Sequence, residues 1–419
     1  MGLYSSYEAK SAKTVVLLYS GGLDTSCMLK WIQEQYGCKL ITLTVDLGQP
    51  ADFDEIKKKA ENLGAEKSYV VDAKEEFAYD YVGKAIKANA FYEGAYPIST
   101  ALGRPLIAKK AVEIALMEGA DAIAHGCTGK GNDQVRLEAS ILAMKPEMKI
   151  IAPIRSWKMG REAEIKYAGE NGIPIPQKSK YSTDENLWGR SVECDVLEQP
   201  EMEPPEDAFE WCTLPTNAPD EPEYVKLGFE QGLPVAINGV KKGPVELISQ
   251  LNLIAGSHGI GIIDHMEDRV VGLKSREVYE CPGAICILKA HKDLQKSVST
   301  IHQNHFLPML EEKWAQMVYC GLWQDPLKEN LDAVFGSANE NVGGEVTLKL
   351  FKGNAQVVGR KSANMLYDLN LATYGENQTF SQQCSPGFIE LYSLQTRMWK
   401  KVQENGNVGK QQEYAKEIA

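Results

Sequence analysis

The sequence predicts an α/β protein: an N-terminal doubly wound parallel sheet over residues 1–172, an α+β domain over 173–385, and a C-terminal helix with a polar tail over 386–419. Three observations carry this. Between Thr14 and Ile154, short β-branched and aliphatic runs alternate with helical ones, the order that builds a parallel sheet with right-handed crossovers. A glycine pair, Gly21-Gly22, sits where the first strand meets the first helix. From Tyr224 the pattern changes to hairpins interspersed with amphipathic helices.

TVVLLY, Thr14–Tyr19, reads as a buried strand. Ser20-Gly21-Gly22 then allows a turn that a Cβ would obstruct. Asp24, Thr25 and Ser26 are placed to supply N-cap oxygens to the helix CMLKWIQEQ. A strand feeding a helix through a glycine turn aims backbone N–H groups and the positive end of a helix dipole at one point, which suits phosphate. No lysine follows at the spacing of a GxxxxGK[ST] loop. KLITLTVDLGQ is a second buried strand, DFDEIKKKAENLG an exposed helix ending at Gly64, and KSYVVDA a third strand. Ligands of such sheets bind beyond the carboxyl ends of the strands, where SGGLDTS and VDLGQ both lie. KEEFAYDYVGKAIKANA and PLIAKKAVEIALMEGA are helical and joined by FYEGAYPISTALGR. ADAIAHG is a short strand, CTGKGND a second glycine-rich loop, QVRLEASILAM a helix, KIIAPI the last strand of the sheet and REAEIKYAGENG a helix.

At Ile173 the composition shifts to proline and acidic residues, and IPIPQKSKYSTDENLWGRS and VLEQPEMEPPEDAFEWCTLPTNAPDEPE read as loops crossing between domains. Ser182 and Thr183 read first as N-caps of DENLWG. Trp188 and Trp211 need packing partners, which argues against a disordered linker. The second domain shows a hairpin turning at Gln231-Gly232, the helix PVELISQLNLIAGSHG, the strand–turn–strand IGIIDHMEDRVVGLK, helices around Ile285–Val298 and Phe306–Tyr319, and a hairpin turning at Lys352-Gly353-Asn354. FIELYSLQTRMWKKVQENG is an amphipathic helix left without a core to complete, suited to packing on another subunit.

Composition narrows the function. With 43% hydrophobic and 24% charged residues, the chain is a soluble globular protein rather than a disordered one. No apolar run is long enough to span a bilayer, and the start MGLYSSYEAKSAK has no signal core. A net charge of −12 disfavours a nucleic-acid partner. Nine cysteines without a CxxC pair fit reduced thiols in the cytoplasm, and His302 and His305 lack the companions of a zinc site, so no protein-ligated metal is expected.

SGGLDTS resembles the PP-loop, SGGxDS, of the ATP pyrophosphatase superfamily, with Thr25 inserted. YSGGLDTS, YPISTALGRP, HGCTGKGNDQVR and YSTDENLWGRS, extended by EDRVVGLKSREVYECP, together resemble the argininosuccinate synthase family over Thr14 to about Trp399. The resemblance implies ATP-dependent ligation of L-citrulline and L-aspartate through a citrullyl-adenylate, with ATP as co-substrate, Mg²⁺ on its phosphates, and a cytoplasmic homotetramer. It implies that Tyr19, Ser20, Gly21, Gly22, Leu23, Asp24, Thr25 and Ser26, with Val45 and Gly126, hold ATP. Tyr96, Thr100, Asn132, Arg136, Ser182, Ser191, Glu267 and Tyr279 match the citrulline-facing positions, and Thr128, Asn132 and Asp133 those that hold aspartate. These last three are the expected catalytic group, with Asp133 assisting the attacking amine and Lys130 a further cation near the phosphates. Ala101 stands where many relatives have serine, so citrulline contact is carried to Thr100 alone. Arg104, before Pro105, reads either as a member of this pattern or as a helix-terminus charge.

Three other readings compete. A tRNA-modifying PP-loop enzyme needs a basic face, and the thiolases among them usually carry paired cysteines. An amidotransferase-type synthetase needs a glutaminase partner or an N-terminal cysteine. A non-catalytic ATP sensor has no use for Thr128, Asn132 and Asp133.

Overall fold

The computed structural model describes residues 12–155, 157, 160–175, 180–375 and 379–417. Its first layer is the expected parallel sheet. Strands β1 (Thr14–Leu18), β2 (Lys39–Asp46), β3 (Lys67–Asp72), β4 (Ala122–Ala124) and β5 (Lys149–Ile151) pair in the order β3-β2-β1-β4-β5, every neighbour parallel. The central strands are apolar because helices cover both faces. Alternate residues of β1 point to opposite sides: Val15 and Leu17 pack with Leu29 and Ile32 of helix α1 (Leu23–Tyr36), while Val16 joins Leu102 and Leu106 on the other side. Strand order reverses between β1 and β4, so a crevice opens beyond their carboxyl ends.

Helix α2 (Phe53–Asn62) follows β2 and is capped by Asp52, whose side chain accepts from Glu55 N. Residues 74–87 form one helical run, α3, with a π-helical segment at Phe77–Val82. Helix α4 spans Ser99–Glu118 and carries Pro105 in its interior. It therefore starts six residues before the helix expected from PLIAKK, and Ser99–Arg104 is helix rather than connector. Helices α5 (Asp133–Met144) and α6 (Arg161–Glu170) lie where expected.

Two antiparallel sheets follow. The acidic stretch read as a crossing loop is instead a hairpin, β6 (Ser182–Asn186) and β7 (Gly189–Glu193), and joins β11 (Ile262–Asp268) and β12 (Lys274–Glu280) in the order β11-β12-β7-β6. Ser182 and Thr183 are strand residues, not helix caps. Trp188, at the hairpin tip, is fully buried and donates to Pro97 O at 3.0 Å. The second sheet runs β10-β9-β8-β13-β14, from Val240–Lys241, Leu233–Ile237, Glu223–Glu230, Gly344–Phe351 and Asn354–Lys361. Two of its hairpins turn at Gln231-Gly232 and Lys352-Gly353, all four residues with positive φ, where the sequence predicts turns; a third, β9–β10, turns at Asn238-Gly239. Helices α7 (Pro244–Ser257), α8 (Pro282–Val298), α9 (Ile301–Tyr319) and α10 (Pro326–Ala338) complete the region; α10 has no counterpart in the sequence reading.

The chain divides into two compact units, Met1–Met365 and Leu366–Ala419. The second contains helices α11 (Ser385–Tyr392) and α12 (Leu394–Glu417). Among the described residues no helix is long and apolar enough to cross a membrane.

Candidate active site

A cleft of about 930 Å³ opens at the β1/β4 switch point, and its floor and walls gather the sequence motifs. The floor is the turn after β1. Gly21 has φ +77°, and a Cβ there would meet Ile56 Cγ1 at 2.9 Å, so only glycine fits without strain. Lys59 of α2 donates to Gly21 O at 2.7 Å and pins the turn. The N-cap is Gly22, without a side-chain cap bond, so the expected capping by Asp24, Thr25 and Ser26 does not occur. Those residues form the first helical turn instead. Ser26 Oγ donates back to Gly22 O at 2.7 Å and meets Tyr19 Oη at 3.0 Å; Ser20 Oγ lies 3.2 Å from Thr25 Oγ1. The positive end of α1 points into the cleft with Ser20, Gly22, Leu23, Asp24 and Thr25 on its lining.

The loop after β4 forms the second side. Gly126 packs so closely that a Cβ would come 2.7 Å from Met28 Cε. His125 sets the loop's direction: its Nδ1 accepts from Cys127 N at 3.2 Å, so Nε2 carries the proton toward Glu138 at 3.0 Å. Burial, helped by Arg155, lowers its pKa to about 4, which keeps it neutral. Thr128, Asn132 and Asp133 line the cleft from this loop and the start of α5.

The opposite wall is one face of the sheet β11-β12-β7-β6. Ser182 pairs with Glu193, Asp184 with Ser191, Ser191 with Tyr279, and Glu267 with Ser275. Directly paired residues share a face and side chains alternate along a strand. Ser182, Ser191, Glu267 and Tyr279 therefore project from the same face, together with Asp184, Glu193 and Glu277. Val192 and Val278 project from the other face, into a small core with Leu197 and Ala208.

Arg104 joins the walls. It is not a helix-end charge: from inside α4 its Nη2 donates to Asp133 Oδ2 at 2.8 Å and also to Asp184 Oδ2. Arg136 Nη1 donates to Asp133 Oδ1 at 2.9 Å. Burial opposes ionisation of Asp133, but the two guanidinium groups outweigh it and hold its carboxyl well below the usual carboxylate range. A carboxylate so held accepts hydrogen bonds and does not carry protons at neutral pH. Elsewhere on the wall burial wins. Glu267 is pushed up to about 7 by burial, against hydrogen bonds from Tyr319 and Tyr279, and Glu193 to about 7 by burial and the neighbouring Glu277.

Most of the sequence-predicted residues meet in this cleft: Tyr19, Ser20, Gly22, Leu23, Asp24, Thr25, Val45, Thr100, Gly126, Thr128, Asn132, Asp133, Arg136, Ser182, Ser191, Glu267 and Tyr279 all line it. Three do not. Gly21 and Ser26 shape the turn from behind, and Tyr96 is buried behind Thr100, with its hydroxyl 2.8 Å from Thr100 Oγ1 and its ring stacked on Tyr279 at 3.8 Å. Missed by the sequence reading were Asp184, Glu193, Arg269 and Glu277, which also line the cleft. Asp184 stands inside the quoted YSTDENLWGRS, and Arg269 and Glu277 inside EDRVVGLKSREVYECP; a strand period of two would have placed Asp184 beside Ser182, Glu193 beside Ser191 and Glu277 beside Tyr279.

A glycine turn at a helix N-terminus, facing a polar, carboxylate-rich sheet face across one cleft, is the arrangement of a nucleotide-dependent enzyme acting on a small polar molecule. Residues 14–174 match the arginosuccinate synthase N-terminal HUP domain and residues 181–399 the arginosuccinate synthase C-terminal domain. The chain is 56% identical over 382 residues to argininosuccinate synthase of Pyrococcus furiosus, covering 91% of this chain and 93% of that one. It is 54% identical to the enzymes of Dictyoglomus thermophilum and Geobacillus kaustophilus, covering 92% of this chain and 97% and 95% of theirs. The chain belongs to the argininosuccinate synthase family.

Proposed function

We propose that this chain joins L-citrulline to L-aspartate at the expense of ATP, giving argininosuccinate, AMP and pyrophosphate. The ureido oxygen of citrulline attacks the α-phosphorus and pyrophosphate leaves. The aspartate amine then attacks the ureido carbon, and AMP leaves with the oxygen it has gained. The observation that carries the reading is the opposition of the two glycine-rich loops to one polar sheet face across a single cleft. The β1 turn presents backbone N–H groups to the phosphates. Thr128, Asn132 and Asp133 hold aspartate, the last accepting from its ammonium. Arg136, Thr100, Ser182, Ser191, Glu267 and Tyr279 hold citrulline, its α-carboxylate on the Arg136 guanidinium. Catalysis is chiefly alignment of three substrates in a charged, pre-arranged site.

Mg²⁺ fits as a phosphate-bound ion. Among the described residues no cluster of three His, Cys, Asp or Glu side chains forms a cage for it, while Asp24 lines the cleft beside the turn. Nucleotide phosphates, waters and Asp24 would hold it, and it would offset phosphate charge during transfer. We further assign nucleotide binding to residues 1–172, the synthetase region to 173–385 and oligomerisation of a cytoplasmic homotetramer to 386–419; the change of matched family between residues 174 and 181 supports a boundary close to the first of these.

Pyrophosphate release from ATP that requires both citrulline and aspartate tests the activity. Release that requires tRNA instead, or nucleotide binding without turnover, overturns it.

A further inference from the structure

We infer that Tyr319 is a positioning residue for the citrulline side of the site, holding Asn132, Arg136 and Glu267 in mutual register; the inference rests on the reading of that site given above. Tyr319 lies in no motif and does not line the cleft. It is the last residue of α9, yet it touches all three groups. Asn132 Nδ2 donates to its hydroxyl at 2.8 Å, and the hydroxyl donates to Glu267 Oε1. Arg136 Nε donates to its backbone carbonyl at 2.7 Å, and the guanidinium carbon stands 4.5 Å from the ring centre. On its other side the ring stacks on Tyr92, centroids 3.5 Å apart and planes within 2°.

Each contact removes a freedom that substrate binding would otherwise have to remove. Asn132 Oδ1 accepts from Val270 N at 2.8 Å, so with Nδ2 on Tyr319 its amide cannot flip. Glu267 receives one phenol on each oxygen, Tyr319 on Oε1 and Tyr279 on Oε2 at 2.8 Å. Arg136 uses Nε on Tyr319 and Nη1 on Asp133, and among the described residues its Nη2 makes no hydrogen bond to protein, which leaves that corner for a ligand carboxylate. The close approach is built in: Gly321, at φ +79°, would carry a Cβ only 2.8 Å from Arg136 Cα. Asn132 and Arg136 belong to the first region and Glu267 to the second, so one side chain aligns the two halves of the site.

Tyr319→Phe tests this. The ring and carbonyl survive, so the Tyr92 stack and the Arg136 bond persist and the fold is kept. Losing the charge-assisted hydrogen bond to Glu267 predicts a citrulline KM raised roughly tenfold; Asn132 loses its acceptor as well, so the aspartate KM rises by a smaller factor, and the ATP KM is unchanged. A donor to a carboxylate lowers its pKa, so its loss raises that of Glu267, and the acid limb of kcat/KM for citrulline moves up by about one pH unit. A merely structural tyrosine would shift neither selectively. Wild-type citrulline KM and pH profile in Tyr319→Phe, or an equal rise in all three KM values, overturns the inference. Carboxyl carbon NMR of Glu267 in the ligand-free protein gives a readout independent of substrate. An unchanged titration overturns the role of Tyr319. A shifted titration in a protein without citrulline-dependent turnover keeps the link to Glu267 and overturns the functional reading instead.

Discussion

Asp133 sits between Arg104 and Arg136, and its chemistry follows from them. The sequence reading made it a helper of the attacking amine. Its carboxyl is held low by two guanidinium groups, so on the function proposed above it would orient the amine as an acceptor rather than take its proton. Asp133→Asn leaves two buried arginines under-compensated and removes the charged acceptor for the aspartate ammonium, so the protein is less stable and kcat/KM for aspartate is expected to fall about a hundredfold through loss of that charge-assisted contact. Wild-type-like turnover would overturn the assignment. Arg104→Lys keeps the charge but loses the planar group that reaches both Asp133 and Asp184. Roughly tenfold slower turnover with an unchanged ATP KM is expected in steady-state kinetics. The pH dependence has a definite sign. Glu267 is raised to about 7, so it is protonated below that pH and ionised above it, and citrulline affinity rises as pH increases from 6 to 8. The sign follows if Glu267 faces the α-ammonium of citrulline, and a flat citrulline KM across that interval would count against that placement.

At the scale of elements, the turn after β1 depends on one backbone conformation. Gly21→Ala forces a Cβ onto a φ of +77° and against Ile56, at a cost of about 1–2 kcal/mol, and the ATP KM rises because the turn must shift. Denaturant unfolding with ATP kinetics checks both parts; an unchanged ATP KM would separate the turn from phosphate binding. Element boundaries were least legible where tertiary contacts override local preference. Pro105 reads as a helix start, yet α4 begins at Ser99, where Asn186 Nδ2 donates to Ser99 O at 2.8 Å and Gly103 packs against Leu47. STDEN looked like loop because both of its faces are polar. Its edge position and cleft-facing side explain that, and the partner β7 supplies the pairing that makes it a strand.

At the scale of the whole molecule, the unit Leu366–Ala419 exposes Phe388, Leu391, Tyr392 and Trp399 along α11 and α12. Exposed aromatic and aliphatic side chains at this density suit an interface between copies of the chain. Truncation before Gly387 is expected to lower the mass of the assembly in light scattering, and an unchanged mass would overturn that role.

The sequence by itself determined the parallel sheet, the glycine turn and most of the residues in the cleft. Each is written locally: a buried strand in its apolar run, a positive-φ turn in its glycines, a ligand loop in contiguous polar residues. Only the tertiary structure decided that the second sheet turns Ser182, Ser191, Glu267 and Tyr279 to one face, that Arg104 spans the walls, and that Tyr319 stands behind Asn132, Arg136 and Glu267. Those relations join residues separated by up to 187 positions in the chain. Register, close approach and shared hydrogen bonds exist only once the elements have packed, so no run of neighbouring residues records them.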